Sequence, residues 1–253
     1  MHMRKGEEAR RELLSCAAQL FDKYGYESVS VKDIADALGW TKSLMYYYCT
    51  GKEQLVRQAA AARAVELAAG LIARMETAGS SPERLNRALG CVGFWSQGSE
   101  EAAARLLGTL YSAGSLPWRA CLRAEIVPQL AGVCNDIIAD GVKSYDMYTP
   151  YPREMAEAAL DMAADLAEKL APLVMEGGAE ALYRADSLLR AYRCSIERLV
   201  EAPFGSIRLV ELSFLEGVAR RLGRADGGAE DEAHGCSDGG AADDTAERDG
   251  AGA

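Results

Sequence analysis

Apolar residues recur at helical spacing near the start of the chain. Between Glu7 and Tyr24 they form a single stripe, the pattern of an amphipathic helix with one buried face. The stripe consists of Leu13, Leu14, Ala17, Ala18, Leu20 and Phe21. Gly25 follows at the position where a helix commonly ends in a left-handed cap. The pattern therefore predicts a helix that ends at Tyr24.

Two shorter helices are predicted directly after it. In SVSVKDIADALGW, Ser30 is placed to cap a helix and Asp33 follows three residues later, a weak form of the capping box. Gly39 ends that helix, and Thr41 caps the next, which carries three consecutive tyrosines. Two short helices separated by a glycine have the spacing of a helix-turn-helix, whose second helix can enter the major groove of DNA.

The remainder of the chain also favours helices. Alanine-rich stretches recur, and the 253 residues include only 7 prolines. A long helix is predicted from Lys52 to about Ala78. Further helices are predicted at about Pro82–Gln97, Glu100–Ala113, Pro117–Tyr145, Pro152–Glu176, Ala179–Glu201 and Ser206–Leu222. The expected fold is all-α.

The end of the chain differs in composition from the rest. Residues 224–253 are rich in Gly, Ala and Asp and contain no aromatic residue, so they cannot bury enough surface to offset the entropy lost on ordering. The sequence therefore predicts a disordered acidic tail over 224–253. Two domains are expected before it, residues 1–52 with the helix-turn-helix and residues 53–223 with the other helices.

The distribution of charge matters more than the net charge of −10. Residues 1–57 carry nine basic and eight acidic side chains, whereas residues 224–253 carry two basic and nine acidic ones. The N-terminal segment is thus the least acidic part of the chain. An acidic total does not exclude nucleic acid as a partner of that segment.

Several functional classes find little support in the residues. The only histidines are His2 and His234, which argues against a histidine-dependent triad or a zinc site, and no glycine-rich phosphate loop follows a strand. We therefore expect no enzymatic activity, cofactor or metal. No apolar run reaches the roughly 18 residues of a membrane span, and no secretory signal is recognisable, so a cytoplasmic location is expected. Seven scattered cysteines without a CxxC pair indicate reduced thiols.

The span RRELLSCAAQLFDKYGYESVSVKDIADALGWTKSLMYYYCTGKEQL resembles the DNA-binding domain of the TetR family of bacterial transcriptional regulators. The matching elements are AAQLFDKYGY at the end of the first helix, SVKDIADALG, MYYY, and GKEQL at the start of the fourth. The resemblance covers about 50 residues and implies a three-helix DNA-binding head, followed by a helical body that dimerises and binds a small effector. Two positions depart from the family pattern: Cys49 replaces a common phenylalanine, and Trp40 replaces a smaller aliphatic residue.

The resemblance also answers what three neighbouring tyrosines do, since they cannot all enter one core. It implies that Tyr46 and Tyr48 bind phosphates and that Tyr47 faces the groove. Side chains in the first turn of the recognition helix are placed to contact base edges. The lysines and the capping residues are placed to contact bases or phosphates. The predicted DNA contacts are Ser30, Lys32, Thr41, Lys42, Ser43, Leu44, Tyr46, Tyr47, Tyr48 and Lys52. Taken singly, Lys32 and Lys42 could equally be solvated surface residues.

Two sites are expected in the body. An effector pocket is predicted among aromatic residues of the middle helices, although aromatic residues of a helical core are often only structural. These residues are Phe94, Trp95, Tyr111, Trp118, Tyr145 and Tyr148. A dimer interface is predicted on apolar stripes of two late helices, either of which could instead face its own core. It comprises Met155, Ala159, Met162, Leu166, Leu212, Leu215 and Ala219.

The predicted function is that of a sequence-specific DNA-binding transcriptional regulator. By family resemblance it is a homodimeric repressor that reads a near-palindromic double-stranded operator and is released by an unidentified small-molecule effector. Two alternatives stay open at this stage. One is a thiol-based redox-sensing DNA-binding regulator using Cys16 and Cys49, and the other is a helical scaffold that binds protein alone.

Overall fold

The computed structural model describes residues 2–75 and 79–231. Within these ranges there are ten α-helices and no strand, which confirms the all-α prediction. The helices are α1 His2–Tyr24, α2 Val31–Leu38, α3 Lys42–Tyr48, α4 Lys52–Met75, α5 Ser81–Gly90, α6 Glu100–Leu110, α7 Leu116–Lys143, α8 Pro152–Glu176, α9 Gly178–Leu199 and α10 Leu212–Asp231. Short 3-10 turns occur at Phe94–Gln97 and Ala113–Ser115.

The three helices of the head, α1 to α3, end where the sequence predicts, and α2 and α3 also begin there, whereas α1 begins at His2 and not at Glu7. The Ser30 hydroxyl accepts a hydrogen bond from the Asp33 N–H at 3.2 Å, and the Asp33 carboxylate accepts one from the Ser30 N–H at 2.7 Å. Gly39 then ends α2 with a φ of 66°. Thr41 caps α3 by accepting a hydrogen bond from the Leu44 N–H at 3.3 Å. These caps fix the turn between the two short helices.

The hydrophobic core of the head extends into the body. It contains Phe21 of α1, Ile34 of α2 and Met45 of α3, together with buried residues of α4 such as Leu55. Cys49, which stands where the family commonly has phenylalanine, is buried among them. Trp118, from α7, lies in the same cluster with no exposed surface. The head and the start of the body therefore share one core.

The rest of the body is organised around α7 and α8, which pack against each other, while α4 packs on α7 and α9 packs on α8. These helices bury two further apolar clusters. Helix α10 lies against α6, where the absence of a side chain at Gly217 leaves room for Glu100. The Glu100 carboxylate accepts a hydrogen bond from Arg221 at 3.0 Å, which ties the two helices together.

Two predicted helices differ from those observed. The segment 82–97 does not form one helix: α5 ends at Gly90, and only a 3-10 turn follows. The last helix begins at Leu212 and not at Ser206, because a loop with left-handed residues Glu201, Gly205 and Leu209 precedes it. That helix continues to Asp231, which lies inside the predicted tail, and the disorder of residues 224–253 stays a prediction. The remainder of the predicted tail, 232–253, lies outside the described residues.

The predicted dimer stripes largely face the core of their own chain. Ala159, Leu166 and Leu215 have no exposed surface and belong to the two clusters of the body, so the prediction that they form a dimer interface is wrong. The other four predicted residues are half-buried and lie at the edges of helices packed on these clusters. They are Met155, Met162, Leu212 and Ala219.

No helix in the described ranges is both long enough and apolar enough to cross a membrane. The same ranges contain no group of three or more His, Cys, Asp or Glu side chains arranged to hold a metal ion.

Candidate nucleic-acid interface

Helix α3 is held in the head by a single buried side chain. Met45 is the residue of this helix that enters the core. The side chains around it point outward: Tyr47 is 81% exposed, Tyr46 is 51% exposed, and Leu44 is 40% exposed. Helical geometry explains this division, because neighbouring positions are about 100° apart. The expectation that one of the three tyrosines faces away from the protein therefore holds for Tyr47.

The third tyrosine supports the other two. Tyr48 is half-buried, and its ring lies 5.4 Å from that of Trp40 and 5.1 Å from that of Tyr47, the latter edge to face. These separations are typical of favourable aromatic pairs. Trp40 therefore packs against the recognition helix, which accounts for the large residue at this turn. The arrangement fixes the direction in which Tyr47 projects.

The two predicted capping residues differ in what their hydroxyls can still do. The Ser30 hydroxyl also donates a hydrogen bond to the Asp33 carboxylate at 2.7 Å, so both its donor and acceptor capacity serve the cap. These hydrogen bonds from Ser30 lower the pKa of Asp33 below its usual range. Thr41 uses its oxygen as an acceptor only. Of the two, Thr41 is better placed to donate to a phosphate.

Lys52, predicted to bind phosphate, lies against the loop between α1 and α2. Its Nζ is 4.1 Å from the centre of the Tyr26 ring and donates a hydrogen bond to the Glu27 carbonyl oxygen at 3.4 Å. Partial burial lowers the pKa of Lys52, an effect opposed by the nearby carboxylates of Glu27 and Asp33. The ammonium group is thus positioned at the start of α4 by contacts within the head.

The other predicted contacts are accessible. Lys42, Ser43 and Lys32 are exposed, the first two in the first turn of α3 and the third near the start of α2. Lys42 Nζ lies 6.0 Å from the centre of the Tyr46 ring. The structure therefore brings an accessible set of hydroxyl, ammonium and aromatic groups to the helix-turn-helix. Their contacts with DNA stay a prediction.

The predicted effector pocket is not assembled. Tyr145 is 96% exposed and Tyr148 is also exposed, both in the loop between α7 and α8. Trp118 is buried in the core shared with the head, far along α7 from that loop. Phe94, Trp95 and Tyr111 do lie together, with ring centres 5.1 Å and 5.8 Å apart. The grouping of all six residues in one pocket is wrong, because three of them project from the surface or into another core.

A small cavity lies beside Tyr111. Arg119 donates a hydrogen bond to Glu168 at 2.7 Å and its guanidinium lies 4.7 Å from the centre of the Tyr111 ring. Burial raises the pKa of the Tyr111 hydroxyl, so it stays protonated. The cavity measures only about 60 Å³. That volume is far below the ~300–1,000 Å³ of typical small-molecule pockets.

Four of the cysteines in the described part of the chain lack the lowered pKa that is typical of reactive thiols. Burial raises the pKa of Cys16 and Cys49 in the head and of Cys121 in α7. It raises the pKa of Cys134 to about 12. Because the thiolate is the reactive form, a raised pKa makes oxidation slower. The thiol-sensing alternative gains no support from these sites.

A capped pair of short helices that presents an exposed tyrosine, on a head packed into a helical body, defines a helix-turn-helix DNA-binding protein. Residues 13–59 match the tetR family of bacterial regulatory proteins. The chain is a DNA-binding transcriptional regulator whose residues 13–59 form a DNA-binding domain of the tetR type. No curated protein matches the sequence.

The whole fold is similar to solved structures of such regulators. One is a TetR-family transcriptional regulator from Pectobacterium atrosepticum, with a TM-score of 0.55 and 18% identity over 79% of this chain and 98% of that one. Another is a transcriptional regulator from Saccharomonospora viridis in complex with choline, with a TM-score of 0.51 and 20% identity over 77% and 98%. The reduced form of NemR from E. coli has a TM-score of 0.50 and 13% identity over 77% and 98%. At these identities the likeness establishes the fold alone.

Proposed function

We propose that this regulator is a cytoplasmic homodimeric repressor, that it binds a near-palindromic operator through α3, and that a small molecule releases it. The observation that carries the DNA-binding part is the exposure of Tyr47 on a helix anchored by Met45. The apolar surface of an exposed phenol ring stays in contact with water unless it meets a partner. The ring can contact thymine methyl groups, and the hydroxyl can form hydrogen bonds with base edges.

Dimerisation follows from the small size of one head. A helix of seven residues offers few contacts, so useful specificity requires two heads on one duplex. Two-fold symmetric helix-turn-helix proteins place their recognition helices about 34 Å apart, one turn of DNA, and read a palindrome. The half-buried residues at the edges of α8 and α10 are available for such an interface.

Release by an effector is proposed as a shift between two states. A ligand that binds one conformation of the body more tightly favours the head spacing of that conformation. The choline complex of the Saccharomonospora viridis regulator supports a small ligand in a body of this fold. The core shared by α1, α4 and α7 supports the transmission of such a change to the head.

The test compares DNA binding by wild type and Tyr47→Ala, using fluorescence anisotropy with the duplex upstream of the gene and a scrambled competitor. Wild type should prefer its own duplex, and Tyr47→Ala should lose most of that preference, since a base contact is worth about 1–3 kcal/mol. Tyr148→Ala is the matched control, because this tyrosine is also exposed but lies in the α7–α8 loop. If neither that duplex nor any duplex selected from random DNA is preferred by wild type, the repressor proposal fails.

A further inference from the structure

Two adjoining clefts lie between α5 and the loop that joins α9 to α10. One has a volume of about 350 Å³ and the other about 520 Å³. They share Asn86, Arg87 and Leu209 along their common wall. Trp95 lines the first, and Ser206 and Arg208 line the second. We refer to the two together, defined by these six residues, as the α5 cleft.

Asn86 builds the cleft by holding the loop against α5. Its side-chain amide donates hydrogen bonds to the carbonyl oxygens of Pro82 at 3.0 Å and Ser206 at 2.6 Å. Its carbonyl oxygen accepts from the N–H groups of Arg208 at 2.7 Å and Leu209 at 3.1 Å. One side chain thus holds the backbone at Ser206, Arg208 and Leu209. The walls of the cleft are formed before any ligand arrives.

Leu209 shows that the loop is held under constraint. Its φ is 57°, in the left-handed region that a bulky side chain avoids at a cost of about 1–3 kcal/mol. Such conformations persist only where surrounding contacts enforce them, and they cluster at binding sites. Here the contacts are those of Asn86. The strained residue lines both halves of the cleft.

Two polar atoms of the cleft have no hydrogen-bond partner within the described part of the chain. Trp95 is only 7% exposed, yet its indole Nε1–H is unpartnered, and the Ser206 hydroxyl is buried and unpartnered as well. The indole nitrogen faces Gly90, where an added Cβ would lie 3.9 Å away, and Gly90 also lines the cleft. An unsatisfied buried donor costs about 1–3 kcal/mol. A ligand with an acceptor group would recover that cost.

The charged groups of the cleft favour an anion. Arg87 and Arg208 are exposed, line the cleft and form no ion pair with any carboxylate of the described residues. The neighbouring Arg84, by contrast, pairs with Asp140 at 3.3 Å. The single carboxylate of the lining is Glu83, and it accepts a hydrogen bond from the Ser80 N–H at the start of α5. The lining of the cleft therefore contains two guanidinium groups without an ion pair and one carboxylate, which is already hydrogen-bonded to a backbone N–H.

We propose that the α5 cleft binds an organic anion with an apolar part, and that this anion is the effector of the regulator. The guanidinium groups of Arg87 and Arg208 hold the anionic group, the Trp95 N–H and the Ser206 hydroxyl donate to its acceptors, and the apolar part lies against Leu209. The small cavity beside Tyr111 does not have the volume for this ligand. Binding of the anion does not depend on the proposed function, whereas its effect on DNA binding rests on the proposed function.

The experiment uses the aromatic sulfonate 1-anilinonaphthalene-8-sulfonate as the probe, with the uncharged N-phenyl-1-naphthylamine as its matched control. Both are titrated by fluorescence into the full chain without DNA. The variants are Arg87→Met, Arg208→Met and Trp95→Phe, and the control is Arg123→Met, which alters an arginine of the small cavity beside Tyr111. Far-ultraviolet circular dichroism and thermal melts establish that each variant is folded.

We expect the sulfonate to bind at one site per chain. Arg87→Met and Arg208→Met should each weaken it about tenfold, the loss that one charge-assisted hydrogen bond brings, and Trp95→Phe should weaken it by a smaller factor. The uncharged probe should bind at least about tenfold more weakly than the sulfonate. Arg123→Met should bind as wild type does.

Three results would overturn the assignment: no saturable binding of the sulfonate, equal binding of the uncharged probe, or a loss with Arg123→Met as large as with Arg87→Met. A separate anisotropy titration with operator DNA then tests the regulatory part. Sulfonate binding with unchanged operator affinity supports the site and refutes its role as the effector site. If the protein shows no preference for the operator even without the probe, that result contradicts the repressor proposal and does not bear on ligand binding in the cleft.

Discussion

The indole N–H of Trp118 donates a hydrogen bond to the Asp22 carboxylate at 2.9 Å and so joins α7 of the body to α1 of the head. The Trp118 ring is completely buried, with its centre 5.4 Å from that of Phe21. Arg63 of α4 approaches the same carboxylate at 3.5 Å. Three helices therefore meet at one acidic side chain. The position of the head relative to the body depends on that meeting point.

Replacing Trp118 by phenylalanine should destabilise the protein by about 1–3 kcal/mol. The substitution removes the N–H and leaves the half-buried Asp22 carboxylate without its closest donor, while a ring still fills most of the space. Urea unfolding followed by circular dichroism measures the loss. Trp40→Phe is the control, since Trp40 is only half-buried and packs on Tyr48. Equal losses in the two variants would show that the hydrogen bond to Asp22 contributes nothing.

The stability contributed by Asp22 should depend on pH. Burial raises the pKa of Asp22, partly offset by the hydrogen bond from Trp118 and the charge of Arg63. Because the pKa is higher in the folded than in the unfolded chain, the native state binds the proton more tightly. This contribution to stability is fully present below the unfolded pKa and is lost as the pH rises through the folded pKa.

Asp22→Asn keeps an acceptor for Trp118 and removes the titration. The variant should therefore gain stability relative to wild type as the pH is raised from about 3.5 to 7, a range that begins near the ordinary pKa of an aspartate. Urea unfolding of both proteins at several pH values measures the difference. Asp36→Asn, at an exposed position of α2, is the control. A difference that stays constant with pH would contradict the assignment.

Gly25→Ala should disturb the contact between the head and the body. Gly25 has a φ of 80°, and an added Cβ would lie 2.8 Å from the Ser115 hydroxyl oxygen, which itself accepts a hydrogen bond from the Tyr26 N–H. Gly39→Ala is a matched control, because Gly39 has a φ of 66° with nothing within 4 Å of an added Cβ. Both variants should lose about 1–2 kcal/mol for the left-handed conformation.

The additional effect of Gly25→Ala is what identifies the contact. It should lower thermal stability further than Gly39→Ala and weaken operator binding, since Ser115 must move away from the α1–α2 loop. Thermal melts and anisotropy titrations measure the two effects. If the two alanine variants behave alike, the packing of Gly25 against Ser115 has no influence on the head.

Lys52→Ala should weaken binding to all duplexes alike and reduce the slope of log affinity against log salt by about one unit. The lysine rests on the Tyr26 ring at the start of α4, where its charge and the free N–H groups of the helix can meet the same phosphate. Anisotropy over a salt series measures the slope. Lys143→Ala, at the far end of α7, should leave the slope unchanged. An unaltered slope for Lys52→Ala would remove this residue from the interface.

The features of the head that sequence predicts well are local ones. Ser30, Gly39 and Thr41 act within three or four residues of their own position, so the spacing of caps and breakers is enough to locate the turn. The exposure of Tyr47 follows equally from helical geometry once Met45 is recognised as the buried residue. Each of these conclusions needs only the residues of a single short segment.

The packing of the body is harder to predict from the sequence, because an apolar stripe on a helix does not indicate which surface it packs against. Ala159, Leu166 and Leu215 have the periodicity of an interface, yet they face their own core. Tyr145 and Trp118 belong to one predicted helix, but they lie at its opposite ends, one in solvent and one beneath the head. Only the packing of helices distant in sequence decides such cases. The periodicity of apolar residues alone carries no information about how distant helices pack.

The sequence predicts a helix where the loop before α10 lies, for a related reason. Ile207 and Val210 are apolar and buried, as helical positions would be, but the hydrogen bonds that their segment needs come from Asn86 and Glu197. Asn86 is more than a hundred residues away in sequence. A side chain that forms hydrogen bonds with a backbone segment distant in sequence produces no recognisable pattern in the sequence of that segment. The α5 cleft was unrecognisable in the sequence for the same cause.

The core shared by the head and the body limits how far the head can be exchanged as a module. A chimera that joins residues 1–52 to the body of another regulator would remove Leu55 and Val56 from beneath α1 and would leave Phe21 without Trp118. Such a hybrid should aggregate or melt early even when its recognition helix is intact. A graft that includes the first turns of α4 and a tryptophan at the start of the acceptor's α7 would preserve the interlocking surfaces. Altering the DNA specificity of this regulator is therefore better done by substituting side chains on α3 than by exchanging domains.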